Sequence, residues 1–152
     1  MLSHTGLQDA IVATFANQRP AADVSILMVA VPRLAELESE HGRVVTAVFV
    51  SEIARRLQQW LPEAIVARFA TNAFAAMIDQ PDPNGELVER CTDVLVDLLE
   101  PVSYGDLKIE IDVAASIAQC YAAENAGSFV GRANVGLERA IVADEPSLVV
   151  MP

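Results

Sequence analysis

The run VSILMVAV, from Val24 to Val31, sets the strongest limit on how this chain can fold. It is rich in branched apolar residues and has no polar face, which is typical of a strand buried on both sides. Pro32 follows directly and ends the strand. A strand of this kind belongs in the middle of a sheet that has helices packed against it.

Apolar residues recur at helical spacing on either side of this strand. A first helix contains Leu7 and Phe15 and ends before Pro20, because proline disfavours helix at the preceding residue. A later stripe, from Val45 to Trp60, predicts a long helix that faces the core. The predicted helical segments are 7–18, 33–41, 44–61, 87–99 and 129–142.

The remaining strands complete an α/β order. Residues 65–78, IVARFATNAFAAMI, predict a β-hairpin whose turn lacks glycine, so Asn72 is the residue best able to adopt a positive φ. Alternation from Leu107 predicts a half-exposed strand that continues to about Ala118. Helices between strands, with one hairpin in the middle, predict an α+β sandwich with a mixed sheet. The domain is expected over residues 1–143, with 144–152 as a tail or linker.

The charge balance narrows the classes of partner. The chain has a net charge of −11 and a pI near 4.4, so its surface repels nucleic acid and anionic lipid headgroups.

Cys91 and Cys120 are far apart in sequence and are expected to be buried free thiols. No signal peptide or membrane-spanning run is present in the sequence, so we expect a cytoplasmic protein without membrane insertion.

Several separated segments together resemble one family, the GGDEF domains, which are the diguanylate cyclases of bacterial cyclic di-GMP signalling. His4–Leu7 resembles the end of the family's DxLTGL motif, and the helix containing SEIARRLQQWLP resembles its AERLR helix. VARFATNAF stands at the place of VARxGGDEF, with Val66, Ala67, Arg68 and Phe74 matching. Further along, ASIAQC resembles ASIGxA and RANVGLERA resembles RADxALYxAK.

The resemblance implies a palm-like fold, with a central five-stranded sheet surrounded by helices. Active members of the family bind GTP with two divalent cations, and two domains face each other to make cyclic di-GMP. In those members, carboxylates from the first strand and from the hairpin turn hold the cations, which neutralise phosphate charge and activate the attacking hydroxyl.

Transferred position by position, most of these functional residues are missing here. The metal-binding aspartate at the end of the first strand falls on Ala30, the second aspartate on Pro32 and the phosphate-side lysine on Ala35. The two positions that read the guanine edge fall on Glu38 and Ala47. An alanine methyl group cannot ligate a cation, and a glutamate offers no amide donor to the base.

The signature itself is also replaced. Gly-Gly-Asp-Glu-Phe corresponds to Ala70-Thr71-Asn72-Ala73-Phe74, which leaves only the core-facing phenylalanine. The RxxD feedback motif falls on residues 61–64, which read Leu-Pro-Glu-Ala. These alanines could leave an apolar concavity in place of the old cleft, formed by Ala30, Ala35, Ala47, Ala70 and Ala73.

These losses predict a catalytically inactive, degenerate GGDEF domain that acts as a regulatory or protein-interaction module, without a cofactor. Its partner would be another protein or a neighbouring EAL-type or sensor domain, and a dimer is possible. Two alternatives remain open. One is a domain that senses GTP without turning it over, for which Arg68 and Asn72 are the candidate contacts. The other is an active cyclase completed by a partner.

Overall fold

The computed structural model describes Gly6 and residues 24–79, 85–121, 124–143 and 148–151. The predicted first helix, residues 7–18, lies outside these ranges. The segment resembling DxLTGL also lies outside them, apart from Gly6. Within the described ranges the strands, in chain order, are β1 (Val24–Ala30), β2 (Ile65–Ala70), β3 (Ala73–Asp79), β4 (Val102–Tyr104), β5 (Leu107–Ile109), β6 (Ala114–Gln119) and β7 (Leu148–Met151). The helices are α1 (Leu34–Trp60), α2 (Glu86–Leu98) and α3 (Ala126–Val142).

A five-stranded mixed sheet forms the centre of the fold, in the order β2-β3-β1-β6-β7. Its strand pairs are antiparallel except for β6 and β7, which are parallel. The predicted five-stranded mixed sheet with surrounding helices is therefore confirmed. β4 and β5 form a separate two-stranded hairpin, and a turn at Gly105, which has φ 59°, connects them.

The central strand β1 is buried on both faces, as its sequence predicts. Alternate residues point into two separate cores. Leu27 and Val29 pack in the core that contains buried residues of α1 and α2, whereas Ile26 and Met28 pack in the core that contains buried residues of α3. The sheet is thus covered on each side by helices, which explains why the run has no polar face.

The helix α1 is interrupted at Gly42, which has φ 84° and ψ 178°. This confirms the predicted boundary between two helical segments. The positive φ at the break favours glycine over residues with a side chain. Thr46 secures the second segment by donating its hydroxyl to the carbonyl of Gly42 at 2.9 Å. Phe49 and Ile53 are buried as predicted, but Trp60 is 36% exposed at the end of the helix.

Two predicted segments differ from the structure. The single strand expected from Leu107 to about Ala118 is divided, since β5 ends at Ile109 and β6 begins at Ala114. Its first half pairs with β4 and its second half pairs with β1, so the run is divided between two different sheets. The alternation of apolar and polar residues is uniform across this run, so the sequence does not indicate where the pairing partner changes.

The prediction that residues 144–152 form a tail or linker is wrong for residues 148–151. These residues form β7, which pairs in parallel with β6 from Ala115 to Ala118 at one edge of the sheet. Gly136 of α3 makes this arrangement possible, because an added Cβ would lie 2.6 Å from Cγ of Met151 and 3.0 Å from Cβ of Ser116. The helix, β6 and β7 therefore approach one another closely at this glycine.

Candidate functional site

The end of β1 lies beside the turn of the β2–β3 hairpin. Ala30 is opposite Ala73 in the antiparallel register, and the backbone N–H of Val31 donates to the carbonyl of Asn72 at 2.8 Å. The two places from which carboxylates were expected to be lost are therefore neighbours in space. A ligand held between them would contact both strands at once.

The side chains at this junction are buried and apolar. Ala30 is 1% exposed and Ala73 is 3% exposed, and both belong to the core cluster that contains Phe129 and Ala133 of α3. The suggested apolar concavity is therefore wrong for these two alanines, which are packed rather than open. The other three, Ala35, Ala47 and Ala70, are exposed.

Arg68 supports the hairpin turn from its own strand. Its Nε donates to the carbonyl of Ala70 at 3.0 Å, and its Nη2 donates to the carbonyl of Thr71. Its guanidinium also lies over the ring of Phe74, 5.4 Å from the centroid. A register shift between Arg68 and Ala70 bends the strand at this point. Arg68 therefore directs several of its contacts to the turn.

The two positions that would read a guanine edge lie on different segments of α1. Glu38 precedes the break at Gly42 and forms an ion pair with Arg43, with 3.5 Å between Oε1 and Nε. Ala47 follows the break and lines an open groove between α1 and β4. The two side chains present a paired carboxylate and a methyl group, which is a poor match to the donors and acceptors of guanine.

Residues within the family-like motifs make contacts that hold the fold together. Arg56, in the segment resembling AERLR, is buried and donates to the carbonyls of Asp97, Glu100 and Pro101 at 2.7 to 3.0 Å. It thereby satisfies carbonyls at and after the end of α2, where intrahelical partners are missing. Ser116, in the segment resembling ASIGxA, donates to the carbonyl of Ala133 at 2.9 Å.

Arg132, in the segment resembling RADxALYxAK, joins the start of α3 to the end of β6. It donates to Glu124, with 2.8 Å between Nη2 and Oε1, and to the carbonyl of Gln119. Its guanidinium stacks on Tyr121, 4.0 Å from the ring centroid. The hydrogen bond from Arg132 lowers the pKa of Glu124, whereas burial raises the pKa of the neighbouring Cys120 thiol to about 11. The pair of Arg132 and Glu124 therefore has a structural role, and burial favours the protonated form of the Cys120 thiol.

Sequence reasoning missed the roles of Arg56 and Arg132. For Arg56 a signal was present, because Glu52 and Arg56 have the i, i+4 spacing of a helical ion pair. For Arg132 no spacing rule applies, because Glu124 lies outside the helix, one residue before its N-cap, Asn125. The predicted pair of buried free thiols, Cys91 and Cys120, is confirmed.

Among the residues that the structure describes, no group of three or more His, Cys, Asp or Glu side chains is placed to hold a metal ion. In the same part of the chain, no helix is both long and apolar enough to cross a membrane.

Comparison with protein families identifies the family to which this chain belongs. The sequence profile described as "Diguanylate cyclase, GGDEF domain" matches residues 2–143, which is most of the chain. The chain therefore belongs to the GGDEF domain family of cyclic di-GMP signalling. None of the curated protein sequences is similar enough to count as a match.

Solved structures show the same fold at low sequence identity. The GGDEF domain of TpbB (YfiN) from Pseudomonas aeruginosa has a TM-score of 0.87 at 14% identity, covering 100% of this chain and 91% of that one. An EAL/GGDEF domain protein from M. capsulatus has a TM-score of 0.81 at 18% identity, covering 94% of each chain. The diguanylate cyclase SiaD of P. aeruginosa, solved with its activator SiaC, has a TM-score of 0.82 at 18% identity, covering 97% and 58%.

Proposed function

We propose that this chain is a catalytically inactive GGDEF domain that acts as a regulatory or protein-interaction module in bacterial cyclic di-GMP signalling. It works in the cytoplasm as part of a larger multidomain protein and needs no metal or nucleotide of its own. The observation that carries the proposal is the pairing of Ala30 with Ala73, two buried methyl groups at the junction of β1 and the hairpin turn.

The chemistry of phosphoryl transfer explains why this junction matters. Magnesium ions require oxygen ligands at about 2.0–2.1 Å, and protein sites supply them as one or two carboxylates together with substrate phosphates. Ala30 and Ala73 carry no ligand atom, and Asn72 carries only a neutral amide. A GTP phosphate chain at this place would lack the charge compensation that metals provide, in a chain with a net charge of −11.

The contacts of two arginines that hold the fold together favour a role that depends on the fold. Arg56 and Arg132 each make several hydrogen bonds that tie a helix to a neighbouring element. Both lie in segments that resemble family motifs, so the parts of those motifs that stabilise the domain are retained here. A fold kept without the metal-binding side chains is suited to binding another protein or domain.

The relatives make a protein partner reasonable. One similar structure is an EAL/GGDEF domain protein, and another is a GGDEF protein bound to its activator. Either arrangement, a neighbouring domain or a separate activator, would suit this chain. The alternative of GTP sensing has less support, because the guanidinium of Arg68 is directed to the carbonyls of Ala70 and Thr71 in its own turn.

A calorimetric titration separates the proposal from GTP sensing. The purified chain is titrated with GTP in excess Mg²⁺, and then with cyclic di-GMP. We expect no measurable heat of binding in either experiment. Micromolar binding of GTP with no product would favour the sensing role instead, and an Arg68→Gln variant would then show whether that residue contributes.

A further inference from the structure

An open groove of about 780 Å³ lies between α1 and β4. We call it the helix–hairpin groove. Its walls are mainly small apolar side chains with two hydroxyl groups, and they are formed by Val44, Ala47, Val48, Ser51, Val102 and Ser103. Val44, at one end, is 65% exposed and leaves apolar area in contact with water.

The other end of the groove is closed by an ion cluster. Glu52 accepts hydrogen bonds from Arg55 at 2.6 and 2.8 Å and from Arg56 at 3.1 Å. Hydrogen bonding from Arg55 is the main cause that lowers the pKa of Glu52 to about 2. Because this carboxylate is already paired twice, the cluster offers a polar boundary rather than a free anionic contact.

An acidic ridge adjoins the groove at this end. It consists of Glu89, Asp93, Asp97 and Glu100, which follow helical spacing along α2 and just beyond it. The ridge is joined to the groove through Arg56, which donates to the carbonyls of Asp97 and Glu100. Arg90 is the one cation in the sequence of α2, and its charge is matched by Glu63 at 2.6 Å.

We infer that the helix–hairpin groove and the acidic ridge together form the docking surface for a basic amphipathic helix of a partner protein. Apolar side chains of that helix enter the groove, and its lysine or arginine residues face the ridge. The stretch of α1 from Val44 to Arg55 is about 18 Å long at 1.5 Å per residue, which matches about three turns of a bound helix. This inference rests on the proposed interaction role, for which it specifies the surface.

Charge selects this occupant over the other two that an apolar groove could accept. A second copy of the chain also carries −11, and a two-fold contact would bring two acidic ridges towards each other. An anionic membrane surface would be repelled for the same reason. A helix with basic residues beside an apolar stripe is the partner whose charge and shape both complement this face.

A defined peptide tests the surface without knowledge of the natural partner. The probe is a fluorescein-labelled amphipathic helix of leucine and lysine, and its binding to the 152-residue chain is followed by fluorescence anisotropy at low salt. Two control peptides accompany it: one with glutamate in place of lysine, and one with the leucine and lysine residues shuffled so that no apolar stripe forms. We expect saturable binding of the first peptide only.

Matched variants locate the binding. Ala47→Trp fills the groove and Glu100→Lys reverses a charge of the ridge, and each should weaken binding about tenfold, equivalent to about 1.4 kcal/mol. The controls are Val135→Trp and Glu138→Lys on α3, which packs on the opposite face of the sheet and has both side chains exposed. These two variants should bind the peptide as the wild type does. Circular dichroism confirms that all four are folded.

The outcomes separate this inference from the proposed function. Equal binding of the shuffled peptide, or equal weakening by the α3 variants, would mean a general attraction of cations to an acidic protein and would overturn the docking surface. Absence of any peptide binding would overturn it too. Synthesis of cyclic di-GMP by the chain would refute the proposed function while leaving the result of the peptide experiment unaffected.

Discussion

The backbone N–H of Val31 donates to the carbonyl of Asn72 at 2.8 Å, which fixes the end of β1 against the hairpin turn. This bond continues the β1–β3 ladder one residue beyond the pair Ala30 and Ala73. The geometry that brings the two strands together at this junction is therefore intact. The side chains at the junction, however, are methyl groups buried beneath α3.

Introducing a carboxylate at this junction should destabilise the domain. Ala30 is 1% exposed, so Ala30→Asp would bury an acid among apolar neighbours, at a cost of about 2–4 kcal/mol without a compensating partner. Urea denaturation at neutral pH measures the loss. The matched control is Ala70→Asp, at an exposed position of the same hairpin, which should change stability by less than about 0.5 kcal/mol. If Ala30→Asp lowered the free energy of unfolding as little as Ala70→Asp does, the junction would be open to water.

The buried Arg56 of α1 should contribute far more to the free energy of unfolding than its exposed neighbour Arg55. Arg56→Met removes hydrogen bonds to three backbone carbonyls and to Glu52. The carbonyl of Asp97 still accepts the N–H of Glu100, but the carbonyls of Glu100 and Pro101 lose the donor that Arg56 supplies, so we expect a loss of about 2–4 kcal/mol. Arg55→Met removes an exposed partner of the same Glu52 and should cost less than about 1 kcal/mol. Chemical denaturation of the two variants gives the comparison. Equal effects would mean that the carbonyl contacts contribute little.

The close approach at Gly136 gives a third prediction. Gly136→Ala places a Cβ against Met151 and Ser116, so the domain should lose about 1–3 kcal/mol and β7 should detach first. Gly131→Ala, in the same helix with nothing within 4 Å of the added Cβ, should instead stabilise by about 0.5–1 kcal/mol. Hydrogen exchange of residues 148–151 reports on β7. Unchanged protection in Gly136→Ala would contradict the packing described here.

Acid should weaken the fold through Glu52. Its pKa is about 2 in the folded chain against 4.5 as a free side chain, so between these values the unfolded state binds more protons. The stabilising contribution is complete above about pH 4.5 and is lost as the pH falls towards 2. Unfolding free energies measured from pH 6 to pH 3 should therefore fall more steeply in the wild type than in Glu52→Gln. Parallel curves would exclude Glu52 as a source of the acid sensitivity.

The sequence was sufficient for the sheet core and for the break in α1 because those depend on local patterns, whereas α3 begins at Ala126, three residues before the predicted start. The double burial of β1 follows from an apolar run, and the break at Gly42 follows from a residue that tolerates positive φ. The position of β7 could not be predicted in the same way. Four apolar residues beside a proline have the same pattern in a tail and in an edge strand, and only the partner β6 decides between them.

For the candidate site, sequence comparison identified which residues stand at each place but not how they are packed. Ala47 is exposed and Ala73 is buried, although both are alanines at positions where the family resemblance led us to expect polar side chains. The difference arises from long-range packing of α3 against the hairpin, which no local spacing encodes. The helix–hairpin groove likewise depends on β4 lying beside α1, residues that are about fifty positions apart in the chain.

The most direct test of the account is an assay for cyclic di-GMP synthesis. The purified chain is incubated with GTP and either Mg²⁺ or Mn²⁺, and product is measured by mass spectrometry, with an active GGDEF protein as the positive control. We predict no product above background, and no change in the rate of the active protein when this chain is mixed with it as a possible completing partner. Metal-dependent accumulation of cyclic di-GMP by the chain alone would contradict the central claim.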